Sequence, residues 1–453
     1  MLRRLQFTNF KVWESVDLSL GKVTGLFGTN SSGKSSLIQF LLLLKQTKDA
    51  TDRALSLDLG GPYVTLGTYQ DLIHQHEDNR KIEWSLDFEQ DEDLVIPDPQ
   101  GKRRDELIRG RSVRLKSEIE SHNGAPRGRF LSYEIGGKTF SLAPKNGEET
   151  SFDLVVENAG DFEFIRTQGR PWRLPGPIKS YAFPDQARTY FQNSGFLSDL
   201  EAAFEAQFSR VFYLGPLREF PKREYGWTRS RPSDVGQKGE RAFEAILAAT
   251  ADGETRNLKP NAALMQFQEM IAYWLRYMGL IHEFRMEEIR AGTNLWQARV
   301  RVQKGGAEVL LTDVGFGISQ VLPVLTLLHY VPDGSTVLLE QPEIHLHPLA
   351  QAALADAIVN VAKHKNRRVQ VIVESHSEHF LLRLQRRVAD ETIAADDVRL
   401  YFCRQERGAS ALDSLQMDIF GNIENWPKNF MGDAFGETTE AEKARLERMR
   451  AAE

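Results

Sequence analysis

The chain has 453 residues and a formal net charge of −6, because 57 lysines and arginines face 63 aspartates and glutamates. This balance gives no global attraction to nucleic acid or to an anionic membrane, so such binding would need a local patch. The single cysteine excludes an internal disulfide framework and fits a reducing compartment. The first residues lack the apolar core of a signal peptide, and no apolar run reaches the roughly 18 residues of a membrane span. We therefore expect a cytoplasmic protein with no membrane partner and roughly two or three domains' worth of core.

The predicted amino-terminal lobe, residues 1–80, contains a phosphate-binding motif. Residues 2–11 and 16–20 alternate apolar and polar side chains, which predicts two strands. A third, apolar strand at 23–27 leads into the motif G-x-x-x-x-G-K-S, the P-loop, and a helical run leaves it. The motif and its flank predict a set of nucleotide-binding residues: Gly28, Thr29, Asn30, Ser31, Ser32, Gly33, Lys34, Ser35 and Ser36.

Each part of the P-loop has a chemical task. The two glycines let backbone N–H groups close around a phosphate, and the following helix adds its positive amino-terminal end. Lys34 supplies a point charge for the β- and γ-phosphates, and Ser35 supplies a hydroxyl for Mg²⁺. We therefore predict that the protein binds ATP with Mg²⁺.

Residues 81–205 predict a β-rich insertion of antiparallel hairpins. Its expected strands alternate apolar and polar residues and are separated by Asn-Gly and Gly-Gly turns, at 82–88, 112–119, 130–135 and 152–156. Basic residues crowd into one part of it: Lys102, Arg103, Arg104, Arg109, Arg111, Arg114 and Lys116. Nucleic-acid contact is one interpretation, but the missing aromatic residues favour a solvated hairpin face.

Residues 206–290 predict a return strand, a loop and a helical subdomain. The strand is expected at 210–214, and helical periodicity at 238–282 is too broken for long coiled-coil arms. Between them, residues 218–232 interleave arginines and lysines with aromatic residues. Phosphate binding, partner binding and a simply packed loop all remain open for this segment.

Residues 291–405 predict the second half of the site. Strands are expected at 296–302 and 308–311, followed by a glycine-rich loop and an apolar helix at 321–330. Ser319 stands where an N-cap is expected, and Pro323 is tolerable if it lies in the first turn. This helix start predicts a second phosphate site, formed by Gly315, Gly317, Ser319 and Gln320.

Two further apolar strands are each followed by polar residues with chemical potential. The strand at 336–340 ends in Glu340, a Walker B arrangement in which the carboxylate holds Mg²⁺ or its water shell. The strand at 369–373 is followed by His376, at the edge of the sheet where ligands bind, which favours a γ-phosphate role. His345 and His347 are a weak metal pair, because they lie two residues apart on a loop without a cysteine. Residues 406–453 form a carboxy-terminal extension.

In this order, the P-loop, glycine-serine signature, Walker B carboxylate and histidine resemble the head of the ABC/SMC/RecF class of ATPases. Residues 7–11 look like the RecF/SMC branch rather than transporters. Residues 340–348 and 421–430 are similar to stand-alone bacterial AAA-type ATPases related to the OLD nuclease head, including a group with a carboxy-terminal domain of unknown function. The resemblance implies an α/β P-loop NTPase of ABC/SMC-head type, with a mixed central sheet, a β-rich insertion and a short helical subdomain.

The resemblance also implies a mechanism. Two heads would form a head-to-tail homodimer with ATP between the P-loop of one and the signature, residues 315–320, of the other. Gln70 would be a Mg²⁺ ligand. These ATPases commonly place a glutamate base after the Walker B carboxylate, but this chain has Gln341, which orients water without accepting its proton. The sequence leaves open whether Glu343 replaces that base.

The sequence offers four candidate functions. The leading one is a slow ATPase whose homodimer regulates a separately encoded nuclease or toxin, in DNA-related or anti-phage defence, with nucleic acid as a possible partner. The alternative is an ATP-locked scaffold or sensor with negligible hydrolysis. A transporter ATPase is disfavoured, because residues 314–320 depart from Leu-Ser-Gly-Gly-Gln. A nuclease within the chain is disfavoured, because the carboxylates after His376 are scattered.

Overall fold

The computed structural model describes residues 1–101, 106–145, 148, 150–169, 173–258, 262–364, 367–406, 408–427 and 434–452. Of the basic residues predicted in the insertion, Lys102, Arg103 and Arg104 lie outside the described residues, as do residues 428–430 of the closing motif.

The strands in chain order are β1 (Leu2–Phe10), β2 (Trp13–Ser19), β3 (Val23–Gly28), β4 (Ile82–Pro97), β5 (Glu106–His122), β6 (Ala125–Ile135), β7 (Lys138–Pro144), β8 (Phe152–Glu157), β9 (Val211–Leu214), β10 (Tyr225–Gly226), β11 (Thr255–Arg256), β12 (Met265–Gln266), β13 (Glu283–Glu288), β14 (Leu295–Arg301), β15 (Glu308–Leu310), β16 (Thr336–Glu340), β17 (Gln370–Glu374), β18 (Val398–Glu406) and β19 (Ala409–Leu415). The helices are α1 (Lys34–Asp49), α2 (Tyr69–Leu72), α3 (Asp185–Tyr190), α4 (Leu197–Ser209), α5 (Ala242–Ala251), α6 (Phe267–Tyr277), α7 (Gly317–Tyr330), α8 (Pro348–Ala362), α9 (Glu378–Ala389) and α10 (Ala434–Ala452).

One antiparallel sheet joins the amino terminus to the predicted insertion. Its strand order is β2-β1-β4-β5-β6-β7-β8, and Leu5 of β1 pairs with Leu86 of β4. The Asn123-Gly124 turn has φ values of 53° and 78°, as a two-residue hairpin turn requires. The four strands predicted in the insertion are confirmed with longer bounds, and β7 was not predicted. Because β1 pairs with β4, the predicted domain boundary at residue 80 falls within a shared sheet.

The central sheet is mixed, as predicted. Its order is β19-β18-β3-β17-β16-β9, in which β19 alone runs antiparallel to its neighbour. Strands β16 and β17 are buried along their whole length, which explains their continuous apolar sequences. The carboxyl ends of β3, β16 and β17 meet at one edge, so the parallel register gathers the three predicted motifs there. Strands β18 and β19 were not predicted.

A third sheet and two helices complete the carboxy-terminal half. Strands β10, β14 and β13 pair in that order, and β15 adds to β14. Helices α5 and α6 confirm the short helical subdomain, whereas β13 was not predicted. In the basic and aromatic loop, Tyr225 and Trp227 are buried in the core, which favours the packed-loop interpretation there. No helix within the described ranges is long and apolar enough to cross a membrane.

Helix α7 differs from its prediction. It begins at Gly317, so Ser319 lies inside the first turn rather than at the N-cap, and its hydroxyl donates to the Phe316 carbonyl at 2.7 Å. Pro323 lies in the second turn, which removes the usual helical partner of the Ser319 carbonyl. The predictions of a Ser319 cap and a first-turn proline were wrong. Space for the proline comes from Gly239, where a Cβ would lie 2.4 Å from the Pro323 ring.

The three arginines of the predicted basic segment that lie within the described residues pair with carboxylates. Arg109 contacts Glu106, Arg111 contacts Asp93 at 2.8 Å, and Arg114 binds Asp87 at 2.7 Å. Exposed pairs of this kind contribute little stability. They neutralise the cations locally, which favours the solvated face over a nucleic-acid contact.

A buried glutamine connects the amino-terminal strand to the central sheet. The Gln370 side chain accepts hydrogen bonds from the Leu2 N–H and the Thr336 hydroxyl, each at 3.1 Å. It donates to the carbonyls of Leu2 and Gly21, each at 2.8 Å. The Gln370 side chain is therefore the shared hydrogen-bond partner of four groups: the Leu2 N–H, the Thr336 hydroxyl, and the Leu2 and Gly21 carbonyls.

We predict that Gln370→Leu lowers the free energy of unfolding by about 3 kcal/mol, because it leaves buried backbone groups without partners. Denaturant unfolding followed by circular dichroism measures this change. The matched control is Gln192→Leu at an exposed glutamine, which we expect to be neutral. Equal effects of the two variants would contradict the assigned role of Gln370.

Candidate active site

The P-loop is held against the central sheet by close backbone packing. Gly28 has a φ of 141°, and a Cβ there would lie 2.1 Å from the Cys403 carbonyl of β18. Gly33 has a φ of 89°, and its carbonyl accepts a hydrogen bond from the Trp13 indole at 3.1 Å. Only glycine fits these two positions, so the loop is shaped by its contacts with β2 and β18.

The Lys34 side chain folds back into the P-loop. Its ammonium donates to the carbonyls of Gly28 at 3.0 Å and Thr29 at 2.7 Å, and Lys34 is only 3% exposed. Burial lowers the pKa of this ammonium. The P-loop therefore places a desolvated cation at the amino-terminal end of α1, where an anion binds best.

Two carboxylates stand next to each other on neighbouring strands. Glu340 ends β16, Glu374 ends β17, and the two residues are paired in the parallel register. The Ser35 hydroxyl of the P-loop donates to Glu374 at 3.1 Å, and the Tyr213 hydroxyl donates to Glu340 at 3.0 Å. The register therefore connects the predicted Mg²⁺ carboxylate to the P-loop through Glu374.

A third carboxylate, Glu343, completes the group. One of its oxygens accepts a hydrogen bond from the His376 backbone N–H at 2.7 Å. The second oxygens of Glu343 and Glu374 are buried and have no hydrogen-bond partner among the described residues. Buried polar atoms without partners are costly, so these oxygens mark a place for a ligand.

Burial controls the charge of this group. Burial and the neighbouring Glu374 carboxylate raise the pKa of Glu340 to about 7. Burial also raises the pKa values of Glu343 and Glu374. Three crowded carboxylates cannot all ionise cheaply unless cations join them.

Two of the residues that meet here were not predicted from the sequence. Glu374 precedes His376 by two residues, and its signal is a carboxylate at the end of an apolar strand beside the Walker B strand. Arg218 is buried, and its guanidinium donates to the Glu340 carbonyl at 3.2 Å. Burial lowers the pKa of Arg218 to about 10. Nothing in the sequence separates Arg218 from the other four basic residues of its loop.

A cavity of about 490 Å³ lies beside the P-loop and contains the predicted histidine. Gly28, Thr29, Gln351 and His376 line it, together with residues 377–379. The Ser377 hydroxyl donates to Gln351 at 2.6 Å, which joins the start of α9 to α8. The structure thus places His376 beside the P-loop, and its γ-phosphate role stays a prediction.

Gln341 and Gln70 occupy different surroundings. Gln341 has a φ of 45°, and its backbone N–H donates to the Glu374 carbonyl at 2.8 Å, so it lies at the carboxylate group. Gln70 is exposed in α2, where Thr68 and Asp71 form a capping box. Within the described residues, no hydrogen bond joins the Gln70 side chain to Ser35 or Glu340. The Mg²⁺ role of Gln70 stays a prediction.

The signature forms a second cluster at the start of α7. A Cβ on Gly317 would lie 2.9 Å from the His345 carbonyl, and the Phe316 ring lies 5.2 Å from the His345 ring. Gln320 is buried. Residues 315–320 are not among those that line the cavity beside the P-loop. The two predicted phosphate sites therefore do not face one ligand within a single chain.

The residues present fit Mg²⁺ only together with phosphate. Although Glu340, Glu343 and Glu374 lie near one another, no three histidine, cysteine, aspartate or glutamate side chains of the described residues converge so that they could hold a metal ion by themselves. Mg²⁺ commonly takes one or two carboxylates, with substrate phosphates and water as the other ligands. Ser35, Glu340 and Glu374 suit that arrangement. His347 instead caps α8, where its Nδ1 accepts from the Leu349 N–H at 3.4 Å.

Comparison with known families agrees with this geometry. A family model described as "AAA domain, putative AbiEii toxin, Type IV TA system" matches residues 23–383. The chain belongs to this AAA family. A second family model, a protein of unknown function named DUF3696, matches residues 393–440. The predicted resemblance to AAA-type ATPases with a carboxy-terminal domain of unknown function is confirmed.

A curated relative of this AAA protein is the OLD nuclease of Thermus scotoductus. It is 24% identical over 442 residues, which cover 92% of this chain and 66% of the relative. The chain therefore spans just under two thirds of that relative's length.

Two solved structures are also similar. One is an SMC head bound to the C-winged helix domain of ScpA, at 12% identity and a TM-score of 0.45, covering 92% of this chain and 98% of that one. The other is the SMC head domain from Thermotoga maritima, at 11% identity and a TM-score of 0.41, covering 92% and 99%. At these scores the similarity carries no argument about function.

The raised pKa of Glu340 predicts a pH-dependent stability in nucleotide-free, metal-free protein. A carboxyl group whose folded pKa is raised stabilises the fold below its unfolded pKa, and this contribution is lost as the pH rises through the folded value. The loss is expected between about pH 4.5 and 7.

Glu340→Gln removes this titration. We expect the variant to gain about 3 kcal/mol relative to wild type between pH 4 and pH 8, measured by denaturant unfolding in EDTA. Glu14→Gln, at an exposed carboxylate, is the control. A parallel pH profile for wild type and Glu340→Gln would show that the Glu340 carboxylate is not shifted.

Proposed function

We propose that this protein is an ATPase whose nucleotide-sandwiched homodimer regulates a separately encoded effector. The observation that carries the proposal is the hydrogen bond from the P-loop Ser35 to Glu374, in register with Glu340. It joins a phosphate cradle to buried carboxylates, which is the arrangement that nucleoside triphosphate hydrolysis needs. The AAA family supports the coarser assignment to nucleotide-dependent proteins.

In this proposal the P-loop amides and Lys34 hold the β- and γ-phosphates. Ser35, Glu340 and Glu374 would hold Mg²⁺, which when bound neutralises charge on the phosphates. Glu343 takes the proton of the attacking water, because its free oxygen is buried and its raised pKa suits a general base. Gln341 orients that water, and His376 contacts the γ-phosphate from the cavity wall.

The dimer part of the proposal rests on the separation of the two phosphate sites. A second head would supply Gly315, Gly317, Ser319 and Gln320 to the nucleotide on the first. Two exposed apolar side chains lie in the loop after β9, Leu217 at 76% and Phe220 at 73% exposure. The Phe220 ring lies 5.1 Å from that of Phe316 in the signature. A patch of this kind is common at protein interfaces.

The effector part rests on the relatives. The family description names a toxin of a toxin-antitoxin system, and the curated relative is named a nuclease. We therefore propose a nuclease or toxin as the effector and anti-phage defence as the setting, with nucleic acid as a possible further ligand.

The test is ATP turnover by the purified protein. We expect slow, Mg²⁺-dependent turnover that Lys34→Ala abolishes and that Glu343→Gln lowers at least about 100-fold, the usual range for a lost general base. Glu83→Gln, at an exposed glutamate of β4, should match wild type. Full turnover by Glu343→Gln would overturn the assignment of the base.

One observation favours the alternative of an ATP-locked scaffold. The position that commonly carries the base holds Gln341, whose amide cannot take a proton. If wild type turns over no faster than Lys34→Ala, while Gln341→Glu gains activity, the scaffold is the better description.

Dimer formation gives a separate prediction. In the Glu343→Gln background, we expect ATP to convert monomers to dimers, measured by size-exclusion chromatography with light scattering. Gly315→Arg should abolish this, since a Cβ at Gly315 meets no atom within 4 Å in the described structure and so fits the monomer but blocks the interface. Gly195→Arg has equally open space and serves as the control. ATP-dependent dimers of the Gly315→Arg variant would contradict the sandwich.

A further inference from the structure

A second cavity lies at the opposite edge of the central sheet from the P-loop. Its volume is about 660 Å³, a typical size for a small-molecule site. It lies between the carboxyl ends of α7 and α8, and its lining includes residues 329–333, which precede β16. Glu340 of the candidate active site ends that same strand, roughly 15 Å away at the rise of an extended chain. The two cavities are therefore distinct.

Basic side chains converge on this second cavity, which we call the basic cavity. Arg231, Arg256, His364 and Arg367 line it, together with the neutral side chains of Tyr330 and Asn360. His329, at 3% exposure, also lines it, and its Nε2 has no hydrogen-bond partner within the described residues.

The cations are close enough to affect one another. Burial and the nearby Arg367, Arg256 and His364 lower the pKa of His329 well below its usual value. Burial and the Arg256 guanidinium lower the pKa of Arg367 to about 10. Desolvated cations that repel each other are costly unless an anion joins them.

The carboxylates nearby are already paired. Glu254 pairs with Arg231 and Arg256 of the cavity, and Asp333, which also lines the cavity, binds the exposed Arg368. Arg367 donates to the Val331 carbonyl, and no carboxylate of the described residues lies within 4 Å of it. Arg367 is thus the cation whose charge is least compensated.

We propose that the basic cavity binds a small phosphorylated ligand of about mononucleotide size, with its phosphate on Arg367 and Arg256, next to the imidazoles of His329 and His364. Arginine forks match phosphate oxygens, and a neutral or charged imidazole can donate to them. The apolar lining of Leu264, Val331 and Val361 leaves room for the remainder of the ligand. Phosphate chemistry is shared by a free anion and a phosphate ester, and the experiment separates the two.

The test is isothermal titration calorimetry on the Lys34→Ala variant, in which the P-loop is weakened. The probes are inorganic phosphate, AMP and uncharged adenosine. Binding of AMP and not adenosine assigns a phosphate ester, and binding of inorganic phosphate alone assigns a free anion; both support the basic cavity. In either case we expect Arg367→Gln to weaken binding of the probe at least tenfold, and Arg367→Lys to weaken it less.

The controls separate the cavity from general charge effects. Arg285→Gln removes an exposed guanidinium that pairs with Glu308 on the third sheet, and we expect no change in affinity. If Arg367→Gln fails to fold, Arg256→Gln tests the same cluster. No binding of phosphate or AMP at millimolar concentration, or equal affinity in the arginine variants of the cavity and in Arg285→Gln, overturns the proposal.

Discussion

The structure of the site depends on a balance of buried charge. Glu340, Glu343 and Glu374 are buried at one edge of the central sheet, and the buried cations Lys34 and Arg218 lie next to them. Burying a charge costs more free energy than its attraction to one opposite charge recovers, unless the remaining polar atoms of both groups are also hydrogen-bonded. Within the described residues, the second oxygens of Glu343 and Glu374 have no hydrogen-bond partner, which favours a bound ligand at this edge.

The parallel strand register produces that charge balance. Glu340 and Glu374 come from segments that are 34 residues apart, and they become neighbours because β16 and β17 pair residue by residue. The P-loop joins them because β3 lies on the other side of β17. One sheet edge therefore collects the P-loop and the carboxylates from distant parts of the chain, and the hydrogen bond from Ser35 to Glu374 joins them. The same geometry leaves the opposite edge free for the basic cavity, and α7 extends from the signature to that cavity.

Local patterns in the sequence predicted the P-loop and the positions of Glu340 and His376 at or just after the end of a strand, because an apolar strand followed by glycine or charged residues gives a clear signal. The mixed sheet was implied by the family resemblance. They did not predict Arg218, since its burial depends on how its loop packs across the sheet. They also missed β18 and β19, which lie beyond the motifs. The predicted start of α7 was wrong by about one turn, so the positions of Ser319 and Pro323 within the helix were also predicted wrongly. The true start depends on the contact of Gly317 with His345 and on the space left by Gly239.

The most direct test of the account is a crystal structure with Mn²⁺ and a non-hydrolysable ATP analogue, in which anomalous scattering locates the metal. The account predicts one Mn²⁺ per nucleotide, between the Ser35 hydroxyl and the carboxylates of Glu340 and Glu374, with the analogue's phosphates in the P-loop. A metal held away from both carboxylates, or phosphates outside the loop of residues 28–35, would contradict the central claim that this sheet edge is a nucleotide hydrolysis site.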